Sequence, residues 1–501
     1  MCDKSERSII MYSKIDNIFK LWQRENAPGG QVLVRHKGEI IFDKCYGKAV
    51  LEHDIDITDK TVFHVASVSK QVTIMSLLIL WNEGKVDLDA DIRTYLPEYI
   101  AFDTPVTVRQ CMNNVSGIRD QWELLIMRGT RIDDIITQKD LLKVISTQKE
   151  LNFVPLSQYL YSNSNFTLCA EIVRKISGKP LNEFAKERIF DVLGMDSTCI
   201  KMGYKDIVKN RAQSYLDNGC GSYVNQPLNF GVAGATSLNT NVHDFIKLMD
   251  EYKNPQHFDK AIFDVMFTPA VLTSGETSIY GGGMMIQEHK GHKLYTHGGV
   301  DAGYRADMAI YPDDDLDIVI FANTQNTIPG VASKKIADIV LGLPDDDEFI
   351  CSQPVDNIDG AYIGINEPHP FYMVKNGCLN GNPLIHIKDS LYALGETVDR
   401  IDLGEKPKFK IGAGMGDLRR ISLASVNKDI LGKYYSEELD IFYYITENEG
   451  KMFLSHYKEG DMPLYDFAEN TYTTPMCRIK ITENGFALSG GRAYNIKFVK
   501  A

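Results

Sequence analysis

HVASVSK, residues 64–70, stands between a strand-like run and a long apolar run, and it puts Ser67 three positions before Lys70. From Ser69 to Glu83 the sequence is apolar on nearly every helical face, and Gly84 follows where a C′ glycine belongs. A helix apolar all round is buried between layers. A lysine at its mouth is therefore drawn out of water, which disfavours the ammonium. Positions i and i+3 share one helical face, so Lys70 reaches Ser67 and can act as the base that a serine nucleophile needs. Free N–H groups at the helix start offer stabilisation to an oxyanion. An isolated SxxK reads more readily as an N-cap serine with a solvated lysine, so its companions decide.

Two companions follow in order. Tyr161-Ser162-Asn163 precedes a helical stretch, and His297-Gly298-Gly299 ends a strand-like run. Serine with lysine, then tyrosine with asparagine, then a basic residue with glycine is an ordered three-part pattern. Residues 28–324 thereby resemble the penicillin-recognising serine hydrolases of the class C β-lactamase type. Supporting stretches are YSNSNFTLCAEIVRKISGKPLNEFAKERIFDVLGMDST (161–198), GATSLNTNVHDFIKLM (234–249) and HGGVDAGYRADMAIYP (297–312). The resemblance implies Ser67 as acyl acceptor, with Lys70 taking its proton alone or with Tyr161. It implies Tyr161 as the group that protonates the leaving nitrogen or activates the deacylating water, and Asn163 as partner of Lys70 and of the substrate amide. His297 stands where these β-lactamases carry lysine, with an implied polar or cationic contact to Tyr161 and substrate. Gly298 and Gly299 would let a substrate backbone lie along the strand edge, and the amides of Ser67 and Val300 would form the oxyanion hole. Two departures bear on substrate range: Asn114-Val115-Ser116-Gly117 replaces His-Thr-Ser-Gly, and His297 replaces the lysine that contacts an antibiotic carboxylate.

Other readings compete at several positions. Tyr159 is an alternative to Tyr161, although YSNSN favours the latter. His64 reads as packing. His289, His292 and His297 could be a metal-ligand set, but no Cys or carboxylate accompanies them at ligand spacing, and no metal or other cofactor is expected. GAGMG (412–416) lacks the GK[ST] end of a phosphate loop and reads as a turn.

Around these motifs, residues 31–46 read as two strands about a Lys37-Gly38 turn, and 306–324 as a hairpin about Pro312-Asp313-Asp314-Asp315. Strands thus lie at both ends of the first 340 or so residues with helices between. This implies an α+β β-lactamase/transpeptidase-like catalytic domain whose antiparallel sheet joins the two ends. The acidic run at 344–357 reads as a linker between that domain (1–343) and an all-β region. IDGAYIGINEPHPFYMVKNGCL (358–379) resembles ILGKYYSEELDIFYYITENEGKMFL (430–454), which suggests two small antiparallel β-barrels in tandem, 358–425 and 426–501.

The chain has 501 residues and a formal net charge of −13, which argues against nucleic-acid or anionic-membrane partners. Nine cysteines at wide spacing, with no CxxC, read as free thiols of a reducing cytoplasm. The start, MCDKSERSIIMYSK, has charges where a signal peptide needs an apolar segment, and no apolar run is long enough for a membrane span.

His297 in the third motif, the chain length and the two C-terminal β units together resemble the D-aminopeptidase branch. That resemblance implies release of N-terminal D-amino acids from small peptide, amide or ester substrates, with a homodimer left open. An esterase or another β-lactamase-like amidase is the alternative within enzymes. A non-catalytic sensor of peptides or β-lactams is the alternative outside them. The resemblance further implies a loop of the last β domain in recognition of a substrate amine. Asp461 in KEGDMPLYDF (458–467), projected by a Gly460-Asp461 turn, is the candidate, and a solvated hairpin aspartate is the favoured alternative.

Overall fold

The computed structural model describes residues 4–131, 133–218, 222–344, 357–365, 369–380, 382–394, 400–411 and 414–501. The expected linker at 344–357 lies outside the described residues except at its two ends. The chain divides into two compact units, Met1–Gln121 with Ile132–Asp345, and Trp122–Arg131 with Asp346–Ala501.

In the first unit the strands are β1 (Gly30–His36), β2 (Glu39–Tyr46), β3 (Met285–His289), β4 (His292–Asp301), β5 (Tyr304–Tyr311) and β6 (Leu316–Ala322). They form one antiparallel sheet in the order β3-β4-β5-β6-β1-β2, so the N-terminal hairpin docks on the last strand of the unit, as the sequence pattern implied. Lys37 and Gly38 both take positive φ at the first hairpin, the geometry of a tight strand-matched turn. Strand β6 is buried along its whole length, so its two faces serve two cores. Ile318 and Ile320 join Val32 and Val34 of β1 beneath helices α1 (Lys4–Ile18) and α5 (Pro329–Leu341). Val319 and Phe321, one residue out of phase, join Leu33 in the larger core on the other face.

That larger core contains α2 (Lys70–Asn82), α3 (Asn163–Ser177) and α4 (Val242–Lys253). Every residue of α2 from Lys70 to Leu80 is buried, which is the burial its all-round apolarity implies. Gly84 closes it with φ +71°, its N–H donating to the Trp81 carbonyl at 2.8 Å. Helix α4 starts at Asn241, whose side chain accepts from the Asp244 amide at 2.8 Å, and α3 stops at Gly178 in the left-handed conformation.

The second unit contains a closed antiparallel barrel running from Gly360–Gly364 to Gly414–Ile421, and then a nine-stranded antiparallel sheet from Gly432–Ser436 to Ala493–Lys500. The edge strands of the latter, Gly460–Pro463 and Tyr465–Ala468, are separated only by Leu464, so this sheet also curls nearly shut. The two sheets open alike. Gly360 and Gly432 have φ of +152° and +147°, and the following hairpins turn at Asn376-Gly377 and Glu449-Gly450, all four with positive φ. Tyr362 and Tyr434 each donate a hydroxyl back to the carbonyl four residues earlier, Ile358 at 2.8 Å and Ile430 at 2.6 Å. The faint sequence repeat is therefore a repeated closure geometry. Trp122–Arg131 belongs to this unit: Tyr443 donates its hydroxyl to the Met127 carbonyl at 3.0 Å, and Arg492 pairs with Glu123 at 3.1 Å.

Candidate active site

The short strand Phe63–His64 pairs with Leu238–Thr240, and the chain then reverses at Ala66, a non-glycine residue with φ +48°. A left-handed alanine is strained and persists only where its surroundings impose it. Here Ser69 imposes it, donating its hydroxyl to the Ala66 carbonyl at 2.5 Å and accepting from the Leu238 amide at 2.9 Å. One tight turn, Ala66–Ser69, thus leads into α2 with Ser67 half-buried at its outer side.

Lys70 is wholly buried, and its Nζ donates to Ser67 Oγ at 2.9 Å, Asn163 Oδ1 at 2.8 Å and the Ala235 carbonyl at 2.7 Å. Three acceptors match the three protons of an ammonium. When Lys70 is neutral the Ser67 contact runs the other way, with the hydroxyl as donor, which is the arrangement a base needs. The ammonium also sits 4.9 Å from the centre of the Tyr161 ring and 5.2 Å from that of Phe166.

Asn163 opens helix α3 and is fixed by a residue that sequence reasoning missed. Its backbone N–H and its Nδ2 both donate to Oδ2 of the buried Asp120, at 2.6 and 2.7 Å. The NVSG segment braces the same loop from behind. Asn114 Oδ1 accepts from the Ser162 amide at 3.0 Å and from Asn165 Nδ2 at 2.9 Å, and Ser116 donates to Asn165 Oδ1 at 2.7 Å.

His297 is buried, and both of its ring nitrogens are engaged. Its Nδ1 lies 2.7 Å from the Gly298 carbonyl, which can only accept, so Nδ1 carries the proton. Its Nε2 therefore accepts from the hydroxyl of the buried Tyr280, at 2.8 Å. Burial first, and the Lys70 charge second, lower the His297 pKa to about 3, with the Gly298 carbonyl pulling the other way. Of the polar or cationic contact expected of this residue, a neutral ring leaves the polar form, and Tyr280, unseen in the sequence, bonds its Nε2. The available signal was Gly281-Gly282-Gly283 directly after Tyr280. A Cβ on Gly283, whose φ is +78°, would stand 2.9 Å from the Lys70 carbonyl, so the backbone closes on the nucleophile helix there.

Strand β4 pairs with β3 only as far as Thr296, opposite Met285, but pairs with β5 through Asp301, opposite Tyr304. Beyond Thr296 one edge has no strand partner among the described residues. The closing pair Asp301 and Tyr304 sets the alternation, which turns the amides of Gly298 and Val300 to that open edge. The two glycines differ. A Cβ on Gly299 would stand 2.2 Å from the Val65 carbonyl, whereas one on Gly298 would meet nothing nearer than 3.7 Å. Gly299 is therefore demanded by packing against the Ser67 turn, not by clearance for a substrate.

Ser67, Tyr161, Asn163 and His297 thus surround the buried Lys70 amine, and Gly299 of the 298–300 run packs on the Ser67 turn. Asp461 lies in the second unit, exposed within strand Gly460–Pro463 and opposite Ser455. The register places Gly460 opposite His456, so the turn is Tyr457 to Glu459 and not Gly460-Asp461. His64 does more than pack, its Nε2 lying 2.8 Å from Asp301 Oδ2 and 3.1 Å from Thr236 Oγ1. The histidines weighed as metal ligands diverge: His289 meets Asp338 and His292 meets Asp314, each at 2.7 Å, while His297 meets Tyr280. No helix among the described residues is long and apolar enough to cross a membrane.

Residues 15–342 match the family model described as Beta-lactamase. A D-aminopeptidase of Gluconobacter oxydans (strain 621H) is 26% identical over 342 residues, 67% of this chain and 63% of that protein, so the match spans less than two thirds of that relative. A D-aminopeptidase of Brucella anthropi is 23% identical over 475 residues, 91% of this chain and 89% of that one. Among solved structures, the octameric penicillin-binding protein homologue from Pyrococcus abyssi superposes with a TM-score of 0.60 at 18% identity. It covers 97% of this chain and 99% of that one, so the likeness in fold extends through the C-terminal β region.

Proposed function

Because this chain belongs to the β-lactamase family, we propose that it is a serine hydrolase that releases N-terminal D-amino acids from peptides, amides or esters through an acyl-enzyme. The observation that carries the reading is the wholly buried Lys70 with Ser67 Oγ at 2.9 Å and Asn163 Oδ1 at 2.8 Å. In this reading Lys70 takes the Ser67 proton as Oγ attacks the acyl carbon. The oxyanion forms against the amides of Ser67 and Val300. Tyr161, against Lys70, passes a proton to the leaving nitrogen. The acyl group on Ser67 then falls to a water activated by the same pair. Asn163 holds Lys70 in place and contacts the substrate amide.

A neutral His297 offers no charge to a substrate carboxylate, which favours amides and esters over β-lactams whose carboxylate needs a cation there. The named activity of the D-aminopeptidase relatives supplies the D preference. A cytoplasmic location fits the described cysteines Cys45, Cys111, Cys169, Cys199, Cys378 and Cys477, all free thiols. Self-association, with a homodimer as its smallest form, belongs to the same reading, and sedimentation of the full chain counts the copies.

The test compares D- and L-alanyl p-nitroanilide with p-nitrophenyl propionate, for the wild type and for Ser67→Ala. Turnover of the D-anilide above the L-anilide is expected, together with loss of all turnover in a folded Ser67→Ala. Turnover retained by that variant, or the absence of a fluorophosphonate adduct on wild-type Ser67, rejects the mechanism.

A further inference from the structure

A carboxylate stands one residue beyond the Val300 amide, on the same strand. Side chains of β4 alternate, so Asp301 shares a face with His297 and Gly299. All three face the segment that carries the nucleophile. His297 borders Tyr161, their ring centres 5.9 Å apart, the Gly299 backbone rests on the Val65 carbonyl, and Asp301 meets His64. Asp301 therefore flanks the Ser67 turn at the end opposite His297.

Its carboxylate is oriented and partly open. Oδ2 is held by His64 Nε2 at 2.8 Å and by the hydroxyl of Thr236, both residues buried, while the Asp301 side chain keeps 19% of its exposure. Oδ1 accepts no hydrogen bond among the described residues. The nearby guanidinium of Arg305 is spent on the carbonyls of Ala302 and Tyr304, at 2.7 and 2.8 Å, and on Gln325. Such an arrangement suits a small cation that arrives from the open strand edge.

We propose that Asp301 receives the α-ammonium group of the substrate, on the carbon next to the one that Ser67 attacks. This deepens the hydrolase reading and rests on it. An acyl oxygen on the Val300 amide would hold the acyl carbon beside Val300, whose Cα lies about 3.8 Å from that of Asp301. The nitrogen of an aminoacyl group lies two bonds from the acyl carbon, and in this reading it turns toward the Asp301 side of that carbon. The substrate selected is an unblocked aminoacyl amide, and an N-acylated one lacks the charge that Asp301 holds.

The experiment measures kcat/KM of the full chain and of Asp301→Asn on D-alanyl p-nitroanilide and on propionyl p-nitroanilide, which differ only by the amine. The ratio of the two is taken within one preparation, so a partly unfolded variant does not distort it. The expected result is a ratio lower by about tenfold to hundredfold in Asp301→Asn, the worth of a hydrogen bond to a charged group, seen mainly as a higher KM. An unchanged ratio overturns the proposal, whether both activities fall together or neither falls. A selective loss in Asp461→Ala but not in Asp301→Asn overturns it as well. Failure of the underlying hydrolase reading shows separately, as a wild-type enzyme that turns over neither anilide.

Discussion

Gly299→Ala puts one methyl group where the structure leaves no room. Its Cβ would stand 2.2 Å from the Val65 carbonyl oxygen and 3.2 Å from the Ala306 side chain, with backbone on one side and a β-ladder on the other. Ordinary carbon-to-oxygen contact needs more than 3 Å, so the strand and the Ser67 turn must part by about 1 Å, and a displacement of that size at a reacting centre costs on the order of a hundredfold in rate. Overpacking alone is expected to cost about 1–3 kcal/mol of stability. The adjacent Gly298→Ala is the control, since its methyl would meet nothing nearer than 3.7 Å. The assay is kcat/KM on D-alanyl p-nitroanilide with a fluorophosphonate count of reactive Ser67, beside a thermal melt of each variant. Gly299→Ala should lose about a hundredfold in kcat/KM and melt lower, while Gly298→Ala melts with the wild type. A Gly299→Ala enzyme with wild-type kcat/KM and melting temperature would refute the contact between strand and turn as the element that sets the oxyanion edge.

Three further outcomes follow from the same geometry. Tyr280→Phe removes the donor to His297 Nε2 and leaves that buried nitrogen without it, while burial and the Lys70 charge still hold the ring neutral. The value of kcat/KM should therefore fall without a change in the shape of its acidic limb, and a new acidic limb would show that Tyr280, not burial, keeps the ring neutral. Asp307, buried beside Ser333, has its pKa pushed up to about 7 by loss of water contact, so its folded form favours the proton. Its contribution to stability is complete below the unfolded carboxyl pKa and is lost as pH rises through the folded one. Asp307→Asn should therefore gain on the wild type between pH 4 and 7, by at most about 4 kcal/mol, in denaturant titrations at stepped pH. Asp120→Ala leaves two buried Asn163 donors unsatisfied and frees the side chain that anchors Lys70. Its loss of kcat should not add to that of Asn163→Ala in the double variant, and fully additive losses would separate Asp120 from the site.

The parts of the site that could be read from sequence are those linked by local spacing. Ser67 and Lys70 share a helical face by arithmetic, and Asn163 opens a helix whose periodicity is plain. What escaped are the groups that tertiary approach supplies. Asp120 reaches Asn163 across 43 positions and Tyr280 reaches His297 across 17. Asp301 drew no reading of its own, because hairpin chemistry accounts for an Asp-Ala-Gly-Tyr run without reference to a cleft. The charge of His297 stayed open between a polar and a cationic role for a related reason. A sequence shows an imidazole but not the depth at which it lies, and depth decides its protonation.

In the β region, legibility came from backbone demands. Gly360 and Gly432, and the turn glycines Gly377 and Gly450, occupy conformations that side chains resist, so the same residue recurs at the same corner of each sheet. Tyr362 and Tyr434 recur because the hydroxyl of each takes a carbonyl that the strand start leaves without a ladder partner. Between those corners the constraint is only that one face be apolar, which many sequences meet. The strand interiors accordingly differ, and the corners carry the likeness. The tip of the Lys451–Pro463 hairpin has no such corner constraint before Gly460, which is why its turn was placed too far along the chain. Followed by Asp461 and Pro463, Gly460 read as part of a turn, yet it is the first residue of the returning strand, with φ +72°.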